Sequence, residues 1–406
     1  MARHTFRCFL LGCIVSTASL AQIAAPPAPQ RLVVHSNILK EDREIWVRMP
    51  AAAQGKEQGK TDSYAVVYMT DDGPNINEIG STIDFLADAD FMPPLIVVAI
   101  ANTDRVRDLT PTHADIKHSD GTVETFPTSG GADQFLDFMQ TELVPEIEKR
   151  FATHPYRIIV GHSLGGLFAI HALINRPELF NACIATSPSL WWDNFRTVHQ
   201  AQEFFAKQKE FKKTLFFALG NEGGDMTEGF DRLQKMLSAN RPAGFVVKSA
   251  RYNEETHNST ELLGHYAGLR TIFGGWTMPR DEKTDLRVGG LEGVEQHFRA
   301  LSDRFGFKVS AEREINALGY NLLGNKKIDD ALAAFRRNVE LYPQSANTYD
   351  SLADGLEAAG KPDLAVQNVE IAVELATQTG DPLLPSFKRH LDRLVAAGQV
   401  GPGKAK

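Results

Sequence analysis

Residues 157–174, "RIIVGHSLGGLFAIHALI", carry three patterns in close succession: an apolar run, a serine set between glycines, and a second run long enough for a helix. The first reads as a short buried strand and the second as an apolar helix. The join between them has to be sharp. A side chain two positions before or after Ser163 would collide with the neighbouring strand or helix, so Gly161 and Gly165 are the residues such a turn needs. Gly161-His162-Ser163-Leu164-Gly165 therefore fits G-x-S-x-G in the strand-to-helix setting that this motif requires. There the hydroxyl stands at the carboxyl end of a strand, and the first N–H groups of the new helix, that of Leu164 among them, point at any oxyanion formed beside it. Ser163 is the candidate nucleophile.

Outward from this stretch the chain repeats the same rhythm. Short apolar runs at 64–69, 95–100, 182–187, 214–220 and 245–252 alternate with stretches of helical period such as "ADQFLDFMQTELVPEIEKRF" and "FDRLQKML". Continuous apolar strands between helices imply a mostly parallel sheet covered on both faces, the α/β class, with its site at the carboxyl ends of the strands. Before them, residues 31–49 alternate and read as an antiparallel hairpin turning at "KEDR".

A serine needs a base, and after a G-x-S-x-G turn the partners follow in the order serine, acid, histidine. That order, with His297 and His390 set aside because they fall in a docking helix and beyond a pair of repeats further along, leaves His257 and His265. His257 lies in the polar loop "NEETHNST" after the last strand, whereas His265 lies inside an amphipathic helix and reads as a packed helix residue. The acid should follow "TLFFALG", where Glu222 leaves the strand first, Asp225 is the reserve, and Glu228 is expected to open the next helix. A second oxyanion donor is expected after "AVVYM", with the N–H of Asp72 as candidate; a plain turn at Asp71-Asp72-Gly73 is the competing account.

The chain has 406 residues, 43% hydrophobic and 23% charged, which suits two globular domains. The formal charge of −8 becomes −10 once Arg3 and Arg7 are removed with a leader, which excludes a nucleic-acid surface and leaves a small molecule as the expected partner. That leader is "MARHTFRCFLLGCIVSTASLA", residues 1–21, with a basic head, an apolar centre and small residues before the cut. Export to the periplasm or medium is expected, with no lipid anchor and no membrane span. Cys8 and Cys13 fall in the leader, so the processed chain keeps Cys183 alone, in a run that reads as a buried strand. No metal-ligand cluster or phosphate loop is apparent, and no cofactor is expected.

A second domain is announced by repetition. "INALGYNLLGNKKIDDALAAFRRNVELYP" and "YDSLADGLEAAGKPDLAVQNVEIAVELA" align so that Leu318 falls on Leu352, Gly319 on Ala353, Ala331 on Ala365 and Phe335 on Val369. This resembles a tetratricopeptide pair, and a protein or peptide partner at the repeats would suit it. The expected division is a hydrolase body at 22–275, a linker and docking helix at 276–311, and two repeats with a closing helix at 312–397.

"GHSLGG", "ANTDRVRDLTP", "SPSLWW" and "ETHNST" occur in this order over roughly residues 30–275. In them the chain resembles the esterase group of α/β hydrolases that includes enterochelin-type siderophore esterases, feruloyl esterases, S-formylglutathione hydrolase and the mycolyltransferases. The resemblance implies Ser163 and His257 directly, leaves the acid less determined, and is broken where Asp71-Asp72 stands for the usual Asp-Gly. Trp191 and Trp192 are candidate walls of the substrate pocket, with core packing the competing role. Arg105 and Arg107 are candidate anchors for an anionic substrate, with local salt bridges as the alternative. The expected activity is hydrolysis of a small carboxylic ester through an acyl-enzyme; a lapsed hydrolase that binds through its repeats and an acyltransferase are the alternatives.

Overall fold

The computed structural model describes residues 28–53, 63–70, 76–117, 122–282 and 287–399. The leader, Asp71, Asp72 and the last residues of the chain lie outside this range. Strands β1 (Gln30–Ser36) and β2 (Glu41–Arg48) form the amino-terminal hairpin. Then follow β3 (Tyr64–Met69), α1 (Asn77–Asp88), β4 (Leu95–Ile100), the short α2 (Arg105–Leu109) and a two-residue ribbon, β5 (Ile116–Lys117) with β6 (Val123–Glu124). A helix broken by a π turn, α3 (Ala132–Phe138) and α4 (Val144–Arg150), leads to β7 (Thr153–His162) and α5 (Leu164–Asn175). The body ends with β8 (Ala182–Thr186), α6 (Trp192–Phe205), β9 (Thr214–Leu219), α7 (Gly224–Ala239), β10 (Val246–Arg251) and α8 (Thr260–Ile272). Helices α9 (Gly290–Phe305), α10 (Glu312–Gly324), α11 (Ile328–Leu341), α12 (Ala346–Ala358), α13 (Pro362–Thr379) and α14 (Leu384–Gln399) complete the described chain.

The eight-stranded sheet runs β1-β2-β4-β3-β7-β8-β9-β10. Its first two pairings are antiparallel and the rest parallel. The chain leaves β3 toward β4 and returns on the other side as β7, so the strand order reverses between β3 and β7. A crevice opens at the carboxyl ends of strands at such a reversal, and Ser163 follows β7 there.

Strand alternation divides the core in two. Tyr64, Val66 and Tyr68 face the cluster that takes in α3, α5, α6 and α7, while Ala65, Val67 and Met69 face the one beneath α1, α8 and α9. The all-apolar strands are buried from end to end, as expected of a sheet covered on both sides. The second cluster does not stop at the body: it continues through Phe298 and Phe305 of α9 into Ile315, Phe335, Leu352 and Val369 of the following helices. Phe305 sits among Tyr156, Phe273 and Trp276, with ring centroids 5.1, 5.2 and 5.6 Å away.

The hairpin turns at residues 37–40, earlier than the expected "KEDR". Glu41 and Arg43 sit in β2 because their charges are matched: fully buried Arg43 reaches Glu41 and buried Asp108, each at 2.7 Å. The helix after β9 begins at Gly224, so Asp225 rather than Glu228 occupies its first turn. Cys183 is buried in β8, where burial pushes its thiol pKa up and keeps it protonated. Among the described residues no helix is long and apolar enough to cross a membrane.

Candidate active site

Ser163 adopts φ 57° and ψ −116°, a conformation non-glycine residues avoid. A Cβ at Gly161 would lie 2.1 Å from the carbonyl oxygen of Gly165, so the close approach of β7 and α5 requires the glycine. The turn is pinned from the next strand: the Ser163 N–H donates to Thr186 O and the Ser189 N–H to Ser163 O, both at 3.0 Å. Leu164 opens α5, where the first-turn amides have no acceptor within the helix.

Two loops at the neighbouring strand ends supply a histidine and an acid. His257 Nδ1 lies 2.6 Å from Glu222 Oε2. The other oxygen, Oε1, accepts from Ser187 Oγ at 2.5 Å and from the Gly220 N–H at 3.3 Å. Burial pushes the Glu222 carboxyl up, but the bonds from His257 and Ser187 outweigh it, and the pKa ends below the ordinary value. Glu222 is therefore an ionised acceptor for the Nδ1–H of His257 and orients the ring through that nitrogen. The loops meet at Gly220, where a Cβ would come within 2.8 Å of the carbonyl oxygens of Glu255 and Thr256, and Asn221 N–H donates to Glu255 O at 2.7 Å. Asp225, the reserve acid, is exposed in the first turn of α7.

Three groups to which the sequence assigned no role stand in this cluster. Ser187, buried and at φ 41°, holds Glu222. Ser189 brings its Oγ to 3.2 Å from that of Ser163. His162 donates from Nε2 to the His257 carbonyl at 2.8 Å, and its ring lies 4.5 Å from that of His257. Burial and the neighbouring His257 push the His162 pKa down to about 4, so it is neutral at pH 7 and braces the histidine loop without charge. The clue in the sequence was "TSPS" directly after a strand, which reads equally well as a turn. Ser163, Ser187 and residues 193–195 are five of the eight non-glycine residues with positive φ among those described, and such outliers gather at functional sites.

The remaining candidates separate. Arg105 Nη2 donates to the His162 carbonyl at 3.3 Å, one residue from Ser163. Arg107 is instead held by Glu41 at 2.6 Å and Asp108 at 2.8 Å, so it belongs to the ion network under β2. Trp192 is core: it is buried, donates to Thr112 and packs edge-on to Phe126 at 5.1 Å. Trp191 is half-buried, with Nε1 3.1 Å from Met226 Sδ, and remains available as a wall. His265 is buried in α8 and bonded to Glu78 at 2.6 Å, a helix-packing residue. Asp72 lies outside the described residues.

Comparison with known proteins bears on this arrangement directly. The model of the family described as "Putative esterase" matches residues 36–258, more than half of the chain. The chain belongs to that esterase family. Ferri-bacillibactin esterase BesA of Bacillus subtilis is 34% identical over 183 residues, 41% of this chain and 63% of that protein. The siderophore triacetylfusarinine C esterase of Aspergillus fumigatus is 43% identical over 82 residues, 20% of this chain and 28% of the relative. The matched part thus spans less than two thirds of the length of these relatives. An IroE-like serine hydrolase from Shewanella oneidensis superposes with TM-score 0.66 at 28% identity, covering 77% of this chain and all of that one.

Proposed function

We propose that this esterase-family chain is an exported serine carboxylic-ester hydrolase, with Ser163 as nucleophile, His257 as base and Glu222 as its orienting acid. The observation that carries the reading is the 2.6 Å bond between Glu222 and His257 Nδ1, with the His257 ring 4.5 Å from that of His162, the residue before a serine held at φ 57°. Ser163 Oγ attacks the ester carbonyl as its proton passes to His257 Nε2, and Glu222 stabilises the imidazolium. The tetrahedral oxyanion takes a hydrogen bond from the Leu164 N–H, with the N–H of Asp72, which lies outside the described residues, as the second candidate donor. The C–O bond then breaks, the alcohol leaves with the proton from Nε2, and the acyl group stays on Ser163. Water, deprotonated by the same nitrogen, releases the acid.

A siderophore-like ester is the substrate class favoured by the named relatives, and the Arg105 guanidinium beside the nucleophile turn suits an anionic substrate. Export rests on the basic-apolar leader ending at Ala21. Helices α10 and α12 begin at Glu312 and Ala346, and α11 and α13 at Ile328 and Pro362, so both pairs are offset by 34 residues. That spacing supports two tetratricopeptide-like repeats closed by α14.

Fluorophosphonate labelling tests the reading. The probe should modify Ser163 and stop hydrolysis of p-nitrophenyl acetate, and Ser163→Ala should neither label nor turn over. Unlabelled wild-type protein would return the chain to the lapsed-hydrolase alternative. Diversion of acyl product to an added alcohol in preference to water would make it a transferase.

A further inference from the structure

At the opposite edge of the sheet from Ser163 lies a cavity of about 530 Å³. Tyr64 at the start of β3, Pro93 and Pro94 before β4, and His154 near the start of β7 form one side of it. The stretch after α8, together with α9 and the start of α10, forms the other. From His154 to Ser163 the extended strand runs about 30 Å, so this space is separate from the candidate active site.

Its volume falls within the range of small-molecule pockets, roughly 300–1,000 Å³, and is too small for a folded partner. Much of the wall is aromatic: Trp276, Phe298 and Phe307 line it. Phe307 stacks on His154 with centroids 4.1 Å apart and planes 7° apart, and burial lowers the His154 pKa, so the imidazole joins the wall as a neutral ring. The charged lining is unbalanced, with Arg280, Arg287, Lys308 and Arg313 against Asp90 and Glu314. This excess of cations stands out in a chain of net charge −8. Asp90 is engaged by Arg313 through bonds of 2.6 and 2.8 Å, and Glu314 accepts from Arg287 Nε.

Arg287 decides the ligand's charge. Its side chain is 3% exposed, yet among the described residues Nη1 has no hydrogen-bond partner. A guanidinium cannot shed its proton, and a buried donor left unmet is unfavourable. As the side chain stands Nη1 is closed off from the cavity, so an anionic oxygen there would satisfy it once the guanidinium turns toward that space, while a flat ring would lie against the lining rings of Trp276 and Phe307.

We propose that this cavity is a second ligand site, built for a small aromatic carboxylate whose oxygens meet Arg287 and whose ring lies among the aromatic side chains. A ligand there bridges the amino edge of the sheet and α10, and so ties the helical region to the body.

The full chain would be titrated calorimetrically with 1-naphthoate and with its neutral counterpart 1-naphthylmethanol. Saturable one-to-one binding is expected for naphthoate, and about tenfold or more weaker binding for the alcohol, the worth of a charge-assisted hydrogen bond. Arg287→Lys keeps the charge but loses the fork and should weaken naphthoate by a similar factor. Because Arg287 also holds Glu314, Ser310→Trp serves as the second variant: it sets bulk at an exposed position on the lining, leaves that pair intact, and should abolish binding with p-nitrophenyl acetate turnover unchanged. Absence of saturable binding, equal affinity for acid and alcohol, or full binding by folded Ser310→Trp overturns the proposal. So does competitive inhibition of ester turnover by naphthoate with the same constant, which would place the ligand at Ser163.

Discussion

Ser187 offers the sharpest test of how the acid is held. Its hydroxyl donates to Glu222 Oε1 at 2.5 Å, and the other bond to that oxygen is the long one from the Gly220 N–H at 3.3 Å. A buried hydroxyl–carboxylate bond contributes about 1.5–3 kcal/mol. If that steadying of Glu222 reaches His257 in the transition state, its loss slows turnover by roughly tenfold to a hundredfold. Two variants separate the hydroxyl from the backbone, since Ser187 sits at φ 41°: Ser187→Ala keeps the strained Cβ, and Ser187→Gly relieves it. Both should lower kcat with little change in KM, although Ser187→Gly should melt at the higher temperature of the two. The pH profile adds a signature that a packing residue would not move. Ser187 helps hold the Glu222 pKa below its ordinary value, so without it the carboxylate is a more basic partner for the imidazolium of His257, and the acid limb of the rate profile, where that imidazolium forms, moves up. Steady-state kinetics on p-nitrophenyl acetate across about pH 4–9 would show both effects. A Ser187→Gly protein with kcat within about twofold of wild type and an unmoved acid limb would refute the reasoning.

Ser163→Ala should reduce turnover by up to about 10⁶ while leaving the melting temperature near wild type, as measured on activated esters and by calorimetry. Glu222→Gln should cut kcat strongly and Asp225→Asn only mildly; the reverse result would move the acid to the first turn of α7. Folded His162 has a pKa near 4, against about 6.5 when unfolded, so the unfolded chain takes up the extra proton. Stability should therefore fall as pH drops from about 6.5 toward 4, by on the order of 3 kcal/mol, and denaturant melts of His162→Gln should lack that slope. Phe305→Ala empties the ring cluster around Tyr156, Phe273 and Trp276 and should destabilise the protein by about 3–5 kcal/mol in the same assay.

Much of the sheet was legible because its strands are apolar on both faces: the runs at 64–69 and 95–100 coincide with β3 and β4. The hairpin turn was misplaced because Glu41 and Arg43 look like turn residues until Asp108, far along the chain, is brought to meet them. Ser163, His257 and Glu222 could be nominated from strand order and loop position alone. Ser187 and Ser189 could not, since their importance lies in where β8 ends relative to its two neighbours, a matter of register. The two arginines of α2 show the same limit. Two residues apart on one short helix, Arg105 reaches the nucleophile turn and Arg107 the ion network, and nothing local distinguishes them. Nor does any local pattern reveal that one apolar cluster joins the sheet to the helices beyond Gly290.

That shared cluster bears on the order in which the chain can be made into a protein. Every candidate catalytic group has been synthesised by the time His257 emerges, yet one face of the sheet still awaits Phe298, Phe305 and the helices behind them. A nascent chain released or halted near Phe273 would hold a nearly complete active site above an uncovered apolar surface, the kind of intermediate that aggregates. Its last third therefore acts as a built-in cover for that face of the sheet, and the face stays exposed until the helices beyond Gly290 have followed it off the ribosome.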